Sequence, residues 1–319
     1  MTLAVQEPWS RLTIRDAVGQ ALLELGEADP SVVVLTADVA RSTRTSWFGK
    51  RFPKRFVNIG ISEQDMVGFA AGLALAGKRP YAAAFAMFLM RAWEQIRNSI
   101  DRMNLDVKLI GTHSGFSDHG DGASHQSLED IALMRVLHNM TVVVPADPPQ
   151  AYKAVLALHD QVRGPTYIRV GRDFSPIVTD PEEEYRLGRI EVLREGDDLA
   201  IVSAGPLLSQ ALLAADILES RGYSVLVANM HTVKPVDAEE LERIARRTGR
   251  VFVVEEHFPR GGVFGAVAET LAQRYPVPIH PVAAVGYGHS ARSVMDLYRA
   301  QGLDSAGIAR RILRVLGEG

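Results

Sequence analysis

The 319-residue sequence contains no cysteine, which excludes disulfide bonds, thiolate metal sites and a cysteine nucleophile. It has no large excess of either charge, since the formal net charge is −3, so neither nucleic acid nor an anionic membrane is expected as a partner. No apolar run approaches the roughly 18 residues of a bilayer-spanning helix, and no signal peptide is visible. We therefore expect a soluble, cytoplasmic protein.

The chain is long enough for two domains, and 47% hydrophobic and 23% charged residues are typical of a globular protein. Short apolar segments alternate with amphipathic ones. We predict strands at residues 32–35, 56–61, 81–85, 107–112, 140–144 and 166–170, with helices at 15–26, 128–138 and 151–161 and two more within 58–98. This alternation predicts an α/β fold, a parallel sheet with helices on both faces.

Residues 174–189 lose this periodicity and contain two prolines and an acidic run, so we interpret them as a linker. A smaller α/β domain is predicted after it, with strands at 199–203, 224–229 and 250–255 and helices at 208–221, 238–248 and 265–274. We place the first domain at residues 1–175, the linker at 176–189 and the second domain at 190–319. The glycine-rich segment 261–265 indicates a tight turn more than a phosphate cradle.

Several side chains suited to chemistry lie at or just past the C-terminal ends of predicted strands: Asp38, Glu63, Phe85, His113 and Arg172. In a parallel sheet, ligands bind beyond the carboxyl ends of the strands. We therefore expect these residues to share one site.

The segment 58–98 contains the first candidate for that site. Ser62 is placed to cap a helix and Glu63 lies in its first turn, while Phe85 and Phe88 follow three residues apart. One interpretation is structural, with Glu63 offsetting the helix dipole and the two phenylalanines in the core. The other is that the three side chains form part of a functional site.

The predicted loop 113–127 concentrates polar ligand types: His113, Asp118, His119, Asp121 and His125. A metal site is one interpretation, but the spacing matches no compact zinc pattern, so we predict none. The other is a set of hydrogen-bonding groups for a polyhydroxylated, phosphorylated ligand. His113 and His125 would contact oxygens or shuttle protons, and Asp121 would accept from a hydroxyl.

Three stretches together resemble the C-terminal half of a transketolase: GISEQDM (60–66), FAMFLMR (85–91) and THSGFSDHGDGASHQ (112–126). The resemblance runs from about Arg15 to about Leu316. It implies a thiamine diphosphate-binding fold, in which a pyrimidine-binding domain is followed by a smaller transketolase C-terminal domain.

The resemblance also implies how the cofactor is bound. Glu63 would hydrogen-bond N1′ of the aminopyrimidine and share a proton with it, Phe88 would stack on that ring beside Phe85, and Asp38 lies at the acidic position next to the cofactor. Arg91 stands in the cofactor site where the family commonly has Tyr, and there the sequence resembles deoxyxylulose-5-phosphate synthases. The helix that begins near Glu63 would pack at a dimer interface.

His113, Asp121 and His125 would bind the donor and acceptor sugars, and both histidines would be catalytic together with Glu63. Three residues match the anchors of the sugar phosphate: Arg15, Ser42 and Arg172. The activity implied is that of a transketolase (EC 2.2.1 type), which transfers a two-carbon ketol unit from a ketose phosphate to an aldose phosphate. It would belong to carbohydrate metabolism, such as the pentose phosphate route.

Nothing in the sequence resembles the domain that binds pyrophosphate and metal. The GDG at 120–122 is not that motif, because Asn139 follows it too early. The resemblance therefore implies the C-terminal subunit of a split transketolase, active only with a separate N-terminal-type subunit. That partner would hold Mg²⁺ or Ca²⁺ and complete the thiamine diphosphate site in an α2β2 heterotetramer.

Three alternatives stay open. The β subunit of a 2-oxoacid dehydrogenase E1 component would keep Glu63 but would not need the His125–Gln126 pair or the phosphate-type arginines. A deoxyxylulose-5-phosphate synthase-like subunit would have an acidic residue in place of His113. A non-catalytic regulatory subunit would not be expected to keep Glu63, Phe88 and both histidines.

Overall fold

Residues 8–318 are described by a computed structural model in which strands and helices alternate along the chain. The strands are β1 (Val32–Thr36), β2 (Phe56–Asn58), β3 (Arg79–Phe85), β4 (Lys108–Thr112), β5 (Thr141–Val143), β6 (Thr166–Arg169), β7 (Glu191–Arg194), β8 (Leu199–Ser203), β9 (Val225–Asn229), β10 (Thr232–Lys234), β11 (Val251–Glu255) and β12 (Ile279–Ala283). They form one sheet of seven strands and one of five, and this confirms the predicted α/β fold.

The helices are α1 (Ile14–Ala28), α2 (Thr45–Arg51), α3 (Glu63–Leu75), α4 (Ala86–Met90), α5 (Trp93–Gln95), α6 (Asp130–Arg135), α7 (Pro148–Gln161), α8 (Leu208–Glu219), α9 (Ala238–Thr248), α10 (Val263–Arg274), α11 (Val294–Gln301) and α12 (Ser305–Leu316). A π-helical segment, Ile96–Asp101, continues α5. Within residues 8–318, none of the helices has the length and apolar character needed to cross a membrane.

The larger sheet has the order β10-β5-β6-β4-β3-β1-β2 and is parallel except at β10. Every residue of β1 and β4 is buried, as a parallel sheet covered on both faces requires. On one face, α1 and α7 pack against each other, and Leu22 and Leu158 are fully buried in that layer. On the other face, α3 packs on β3 through Met66 and Ala70.

The smaller sheet has the order β12-β11-β8-β9-β7, parallel except at β7. Its central strands β8, β9 and β11 were predicted, and all of their residues are buried. The sequence did not predict the two edge strands of this sheet, β7 and β12, or the helices α11 and α12 that follow it, and in the first domain it did not predict α2. It also missed β10, which lies beyond the predicted linker yet pairs antiparallel with β5 at the edge of the larger sheet.

Two local predictions need correction or refinement. Ser62 precedes α3 but its side chain makes no capping hydrogen bond, so the predicted cap is wrong. The glycine-rich segment 261–265 does lead into a helix, α10. The first turn of that helix is taken by a carboxylate of the protein itself, because Glu255 accepts from the main-chain nitrogens of Val263 (2.7 Å) and Phe264 (3.3 Å). A phosphate is therefore not required there.

The segment 170–190 contains no helix or strand and is fastened to the first domain by one buried carboxylate. Asp147 is fully buried and caps α7 by accepting from the main-chain nitrogen of Gln150 at 3.1 Å. It also accepts from the main-chain nitrogens of Val178 and Thr179, both at 2.8 Å, and from the Thr179 hydroxyl at 2.8 Å. One side chain thus joins a helix start to the linker.

We predict that Asp147→Ala lowers the free energy of unfolding by about 3 kcal/mol, because four donors lose their acceptor inside the protein. Asp304→Ala is the matched control: Asp304 caps α12 through a single main-chain donor, Gly307, at 3.2 Å. Its loss is expected to cost about 1 kcal/mol. Urea denaturation of both variants measures the difference, and equal losses would contradict the role given to Asp147.

Candidate active site

A row of four rings joins the segment 58–98 to the loop 113–127. Phe85 ends β3 and Phe88 lies in the following helix α4, and their rings stack with centroids 5.0 Å apart and planes 10° apart. The His113 ring stacks on Phe85 at 3.7 Å, and the His125 ring meets Phe88 edge-on at 5.5 Å. These four predicted site residues therefore lie together at the carboxyl ends of the strands.

His113 is held in one protonation state by its neighbours. It follows β4 with a left-handed φ of 56°, and its Nε2 lies 3.4 Å from Nη1 of Arg15. Because a guanidinium only donates, Nε2 accepts and the ring proton is assigned to Nδ1, which lies 2.9 Å from the Thr112 hydroxyl. Thr112 in turn donates to the main-chain oxygen of Ala84 at 3.3 Å.

Burial, together with the positive charges of Arg15 and Arg172, lowers the pKa of His113 to about 3. The imidazole is therefore neutral near pH 7. In that state it both donates and accepts hydrogen bonds without adding another positive charge to the site.

Arg15 is a positive group of this site that forms no ion pair with any residue in the described range 8–318. Its Nη1 donates to the main-chain oxygen of Ser42 at 3.0 Å, and its Nε is buried without an acceptor in the described part of the chain. Burial and the charge of Arg44 lower the pKa of Arg15. Arg44 itself is paired with Asp16 at 2.5 Å. A half-buried guanidinium without an ion pair among residues 8–318 suits an anionic ligand.

Arg172 does have a counter-ion, one that the sequence reasoning gave no role. Its Nη1 donates to Oδ1 of Asp118 at 2.6 Å. Asp118 is fully buried, and its Oδ2 has no hydrogen-bond partner within residues 8–318. Burial raises the pKa of Asp118, and the charge of the nearby Asp121 raises it further. The loop thus brings two carboxylates and Arg172 into one charged group.

Glu63 is the first residue of α3 and is 6% exposed. Its carboxylate makes no hydrogen bond or ion pair with any residue in the described range 8–318. A carboxylate at a helix start is favoured by the helix dipole, but a buried one is expected to have a hydrogen-bonding partner. Glu63 therefore has an acceptor available for a ligand.

Among residues 8–318, Asp38, Arg91 and Asp121 make no hydrogen bond or ion pair with this group, and Ser42 contacts it through its main-chain oxygen. Asp38 is exposed and exchanges two hydrogen bonds with Asn58, at 3.0 and 3.1 Å. The side chains of Arg91 and Asp121 are exposed and make no hydrogen bond or ion pair in the described chain, and Ser42 takes part through its main-chain oxygen rather than its hydroxyl. The roles of these four residues stay predictions.

Two polar partners were missed: Asn58, which hydrogen-bonds Asp38, and Glu256. Glu256 contacts the loop from the second domain through the main-chain nitrogen of Phe116. It follows β11, so the rule used for the first domain, that functional residues follow buried strands, was the available signal. Among residues 8–318, no three histidine, aspartate or glutamate side chains converge as a metal ion requires.

The amino-acid sequence is similar to those of known proteins over most of its length. The family model for the transketolase pyrimidine binding domain matches residues 10–176, and the model for the transketolase C-terminal domain matches residues 188–308. A putative transketolase C-terminal section from Methanocaldococcus jannaschii is 40% identical over 309 residues, which cover 94% of this chain and 95% of that protein.

One of the subunits of an apulose-4-phosphate transketolase from Phocaeicola vulgatus is 36% identical over 308 residues, 95% of this chain and 97% of that one. A solved structure described as a split gene transketolase, inactive beta4 tetramer, has a TM-score of 0.86 and 43% identity. The similarity covers 96% of this chain and 98% of that one. Both domains are therefore matched together and in the same order.

We predict that His113 stays neutral between about pH 5 and 8, because its pKa is about 3. Histidine-selective ¹⁵N NMR should show its Nδ1-protonated form throughout that range. Arg15→Gln removes an adjacent charge and is expected to raise the pKa, while burial still keeps it below the ordinary value. A His113 that titrates near pH 6.5 in the unaltered protein would contradict the assignment.

The lowered pKa of His113 also makes the stability of the protein depend on pH. His113 in the unfolded chain takes up a proton near its ordinary pKa of 6.5, whereas the folded chain does so only near 3. The unfolded state therefore binds more protons in this window, and the contribution of His113 to stability falls as the pH is lowered from 6.5 toward 3. In urea denaturation, the midpoint of the unaltered protein should therefore approach that of His113→Asn as the pH is lowered over that range.

Proposed function

The chain belongs to the transketolase family, whose pyrimidine-binding and C-terminal domains it contains, and we propose that it is one subunit of a split transketolase. In assembly with a separate pyrophosphate-binding subunit, it transfers a two-carbon ketol unit from a ketose phosphate to an aldose phosphate. The observation that carries the proposal is the stacking of His113 on Phe85, because it joins an aromatic pocket and an anion-binding group in one site.

The residues at one end of the site fit the aminopyrimidine of thiamine diphosphate. Phe85 and Phe88 present aromatic faces, and Glu63 offers a carboxyl without a partner in the described chain. An aminopyrimidine has both a ring to stack and a ring nitrogen to share a hydrogen bond. When bound, thiamine diphosphate supplies the carbanion chemistry needed to break and form a carbon–carbon bond next to a carbonyl.

The roles proposed for this chain follow from those groups. Glu63 is a catalytic residue that holds a proton at its carboxyl and shares it with N1′ of the aminopyrimidine. Phe88 stacks on the ring, and Phe85 supports it while carrying the ring of His113 on its other side. Asp38 and Arg91 border the cofactor, with Arg91 in the place where the family commonly has tyrosine.

Arg15, Ser42 and Arg172 are proposed to bind the phosphate of the sugar. Arg15 can bind a phosphate without first breaking an ion pair in the described chain. Arg172 stays oriented by Asp118. A phosphate that draws Arg15 to itself leaves Nε2 of His113 free to accept from a sugar hydroxyl.

His125 and Asp121 are proposed to complete sugar binding from the other end of the loop. Nδ1 of His125 lies 3.0 Å from the Ser124 hydroxyl, so Nε2 is the nitrogen available to a substrate. Asp121 is exposed and accepts from a sugar hydroxyl. His113 and His125, on either side of the phenylalanine pair, exchange protons with the substrate oxygens as the ketol unit is transferred.

The partner is proposed to be an N-terminal-type transketolase subunit in an α2β2 assembly. It holds the pyrophosphate and its Mg²⁺ or Ca²⁺, for which this chain has no recognisable motif. The names of the similar proteins, a C-terminal section and a transketolase subunit, support a separate partner. Three apolar side chains just before and within α3 are exposed: Ile61 (84%), Phe69 (44%) and Leu75 (64%). The exposed residues Gly68 and Gly72 lie on the same helix. We propose that this face is buried between subunits.

The purified chain alone is expected to show no ketol transfer, and activity is expected when an N-terminal-type subunit from the same organism, thiamine diphosphate and Mg²⁺ are added. In the assembled enzyme, Glu63→Gln is expected to lower kcat by about 10² to 10⁴-fold, because the amide cannot share a proton with N1′. Asp65→Asn is the control, since Asp65 is exposed on the same helical turn. Full activity of the isolated chain, or of Glu63→Gln, would refute the proposal.

Arg15→Ala is expected to raise KM for phosphorylated sugars by about 10- to 100-fold, since one charged hydrogen bond to phosphate is lost. Arg172→Ala should act in the same direction, and unphosphorylated sugars should be affected much less by either change. Arg246→Ala serves as the control, because Arg246 pairs with Glu242 on the exposed side of α9. Equal effects on both classes of sugar would contradict the assignment of a phosphate site.

A further inference from the structure

A buried ion pair connects the two domains directly beneath the loop 113–127. Arg169 is the last residue of β6 and Glu256 follows β11, and each is 3% exposed. Nη1 of Arg169 lies 3.7 Å from Oε2 of Glu256, and Nη2 donates to the main-chain oxygen of Glu256 at 2.9 Å. The pair is thus part of the domain contact and shielded from water.

The arginine side of this pair holds the end of the loop. Nη2 of Arg169 donates to the main-chain oxygen of Ser127 at 3.1 Å. Nε donates to Oδ2 of Asp130, the first residue of α6, at 2.8 Å, and the hydroxyl of Tyr167 donates to the same oxygen at 2.8 Å. The chain leaving the loop is therefore fixed by Arg169.

The glutamate side holds the start of the loop. Oε1 of Glu256 accepts from the main-chain nitrogen of Phe116 at 2.8 Å and from the Tyr298 hydroxyl at 3.1 Å. Gly115, with a φ of +61°, lies so close that an added Cβ would be 2.3 Å from Cδ of Glu256. Gly115 also donates to the main-chain oxygen of Ser127 at 3.0 Å, which ties the start of the loop to its end.

We propose that Glu256 is a positioning residue for the transferase reaction: its carboxylate, supplied by the second domain, holds Phe116 and thereby places His113 and Asp118. Phe116 lies three residues after His113, whose ring stacks on Phe85, and two before Asp118, which orients Arg172. Releasing the nitrogen of Phe116 frees both functional side chains together. The effect on activity rests on the proposed function, whereas the effect on the loop does not.

Energetics support a geometric role. Burial raises the pKa of Glu256 to about 7, against the opposing effects of Arg169 and the Phe116 hydrogen bond. Buried ion pairs are often no more stabilising than apolar side chains of the same size. What the Glu256 side chain adds is an oxygen that reaches the main-chain nitrogen of Phe116, and an amide oxygen of the same reach can accept that hydrogen bond as well. The contribution of Glu256 is therefore to the shape of the loop more than to stability.

Two substitutions of Glu256 separate the effect of side-chain length from the effect of charge. Glu256→Gln keeps the length of the side chain and an oxygen for Phe116 but loses the charge that faces Arg169. Glu256→Asp keeps the charge but is one methylene shorter. If the reach of the side chain matters, as proposed, Glu256→Asp disturbs the loop strongly and Glu256→Gln only slightly. If Glu256 serves only to balance the charge of Arg169, the order of the two effects is reversed.

Hydrogen exchange of the full subunit alone, read by mass spectrometry, tests the effect on the loop. In Glu256→Asp, exchange across residues 113–118 is expected to rise at least about 10-fold, with that of 199–203 unchanged. In Glu256→Gln, the exchange rate of residues 113–118 should stay within about 3-fold of that in the unaltered protein. Glu255→Asp is the matched control, since this neighbouring buried carboxylate contacts Val263 and Phe264 instead of the loop. Unchanged loop exchange in Glu256→Asp, or the same rise in Glu255→Asp, overturns the proposal.

Kinetics of the assembled enzyme give the second readout. Glu256→Asp is expected to raise KM for the sugar phosphate at least about 10-fold, while Glu256→Gln stays within about 3-fold of the unaltered enzyme. The opposite order overturns the proposal. If Glu256→Asp fails to fold, Tyr298→Phe removes the hydroxyl that holds the same carboxylate without changing a charge, and loop exchange and KM are expected to rise in the same direction. If loop exchange responds as expected but the unaltered assembly shows no transfer, the proposed function fails and the positioning of the loop stands.

Discussion

Arg169 uses its guanidinium to join three parts of the chain that are distant in sequence. Its donors meet Asp130, the main-chain oxygens of Ser127 and Glu256, and the Glu256 carboxylate, all in a fully buried setting. A planar fork of five donors can satisfy such a set, whereas a lysine ammonium could not. Arg169 thus fixes the end of the loop 113–127 and also contacts Glu256, which holds the start of the loop.

The distribution of charge in the site follows a simple arrangement. Arg44 and Arg172 each have a carboxylate partner, Asp16 and Asp118, while Arg15 has none among residues 8–318. His113 lies among these arginines as a neutral ring, so it adds hydrogen-bonding capacity but no charge. The Nε donor of Arg15 therefore has no acceptor within residues 8–318, next to the aromatic pair, and this arrangement suits a ligand with one phosphate and a ring that can stack.

The sequence predicted those features that local pattern determines. Runs such as Val32–Thr36 indicated the central strands, and the rule that ligands lie past strand ends brought Phe85, His113 and Arg172 together correctly. Long-range pairing could not be predicted in this way. Phe116 and Glu256 are 140 residues apart, and neither shows a pattern that points to the other. Ser62 had the right residue type for a cap, yet its backbone conformation directs no side-chain oxygen to the helix.

The antiparallel strand β10 has a consequence for synthesis of the protein. Residues Thr232–Lys234 pair with β5, and the main-chain nitrogen of Val144 donates to the main-chain oxygen of His231 just before them. As a ribosome delivers the chain, the larger sheet has an open edge until residue 234 has emerged, long after its other six strands. An open edge invites pairing with another nascent chain. Translation must therefore pass the β8–α8–β9 unit of the second domain before β10 can cover the edge at β5.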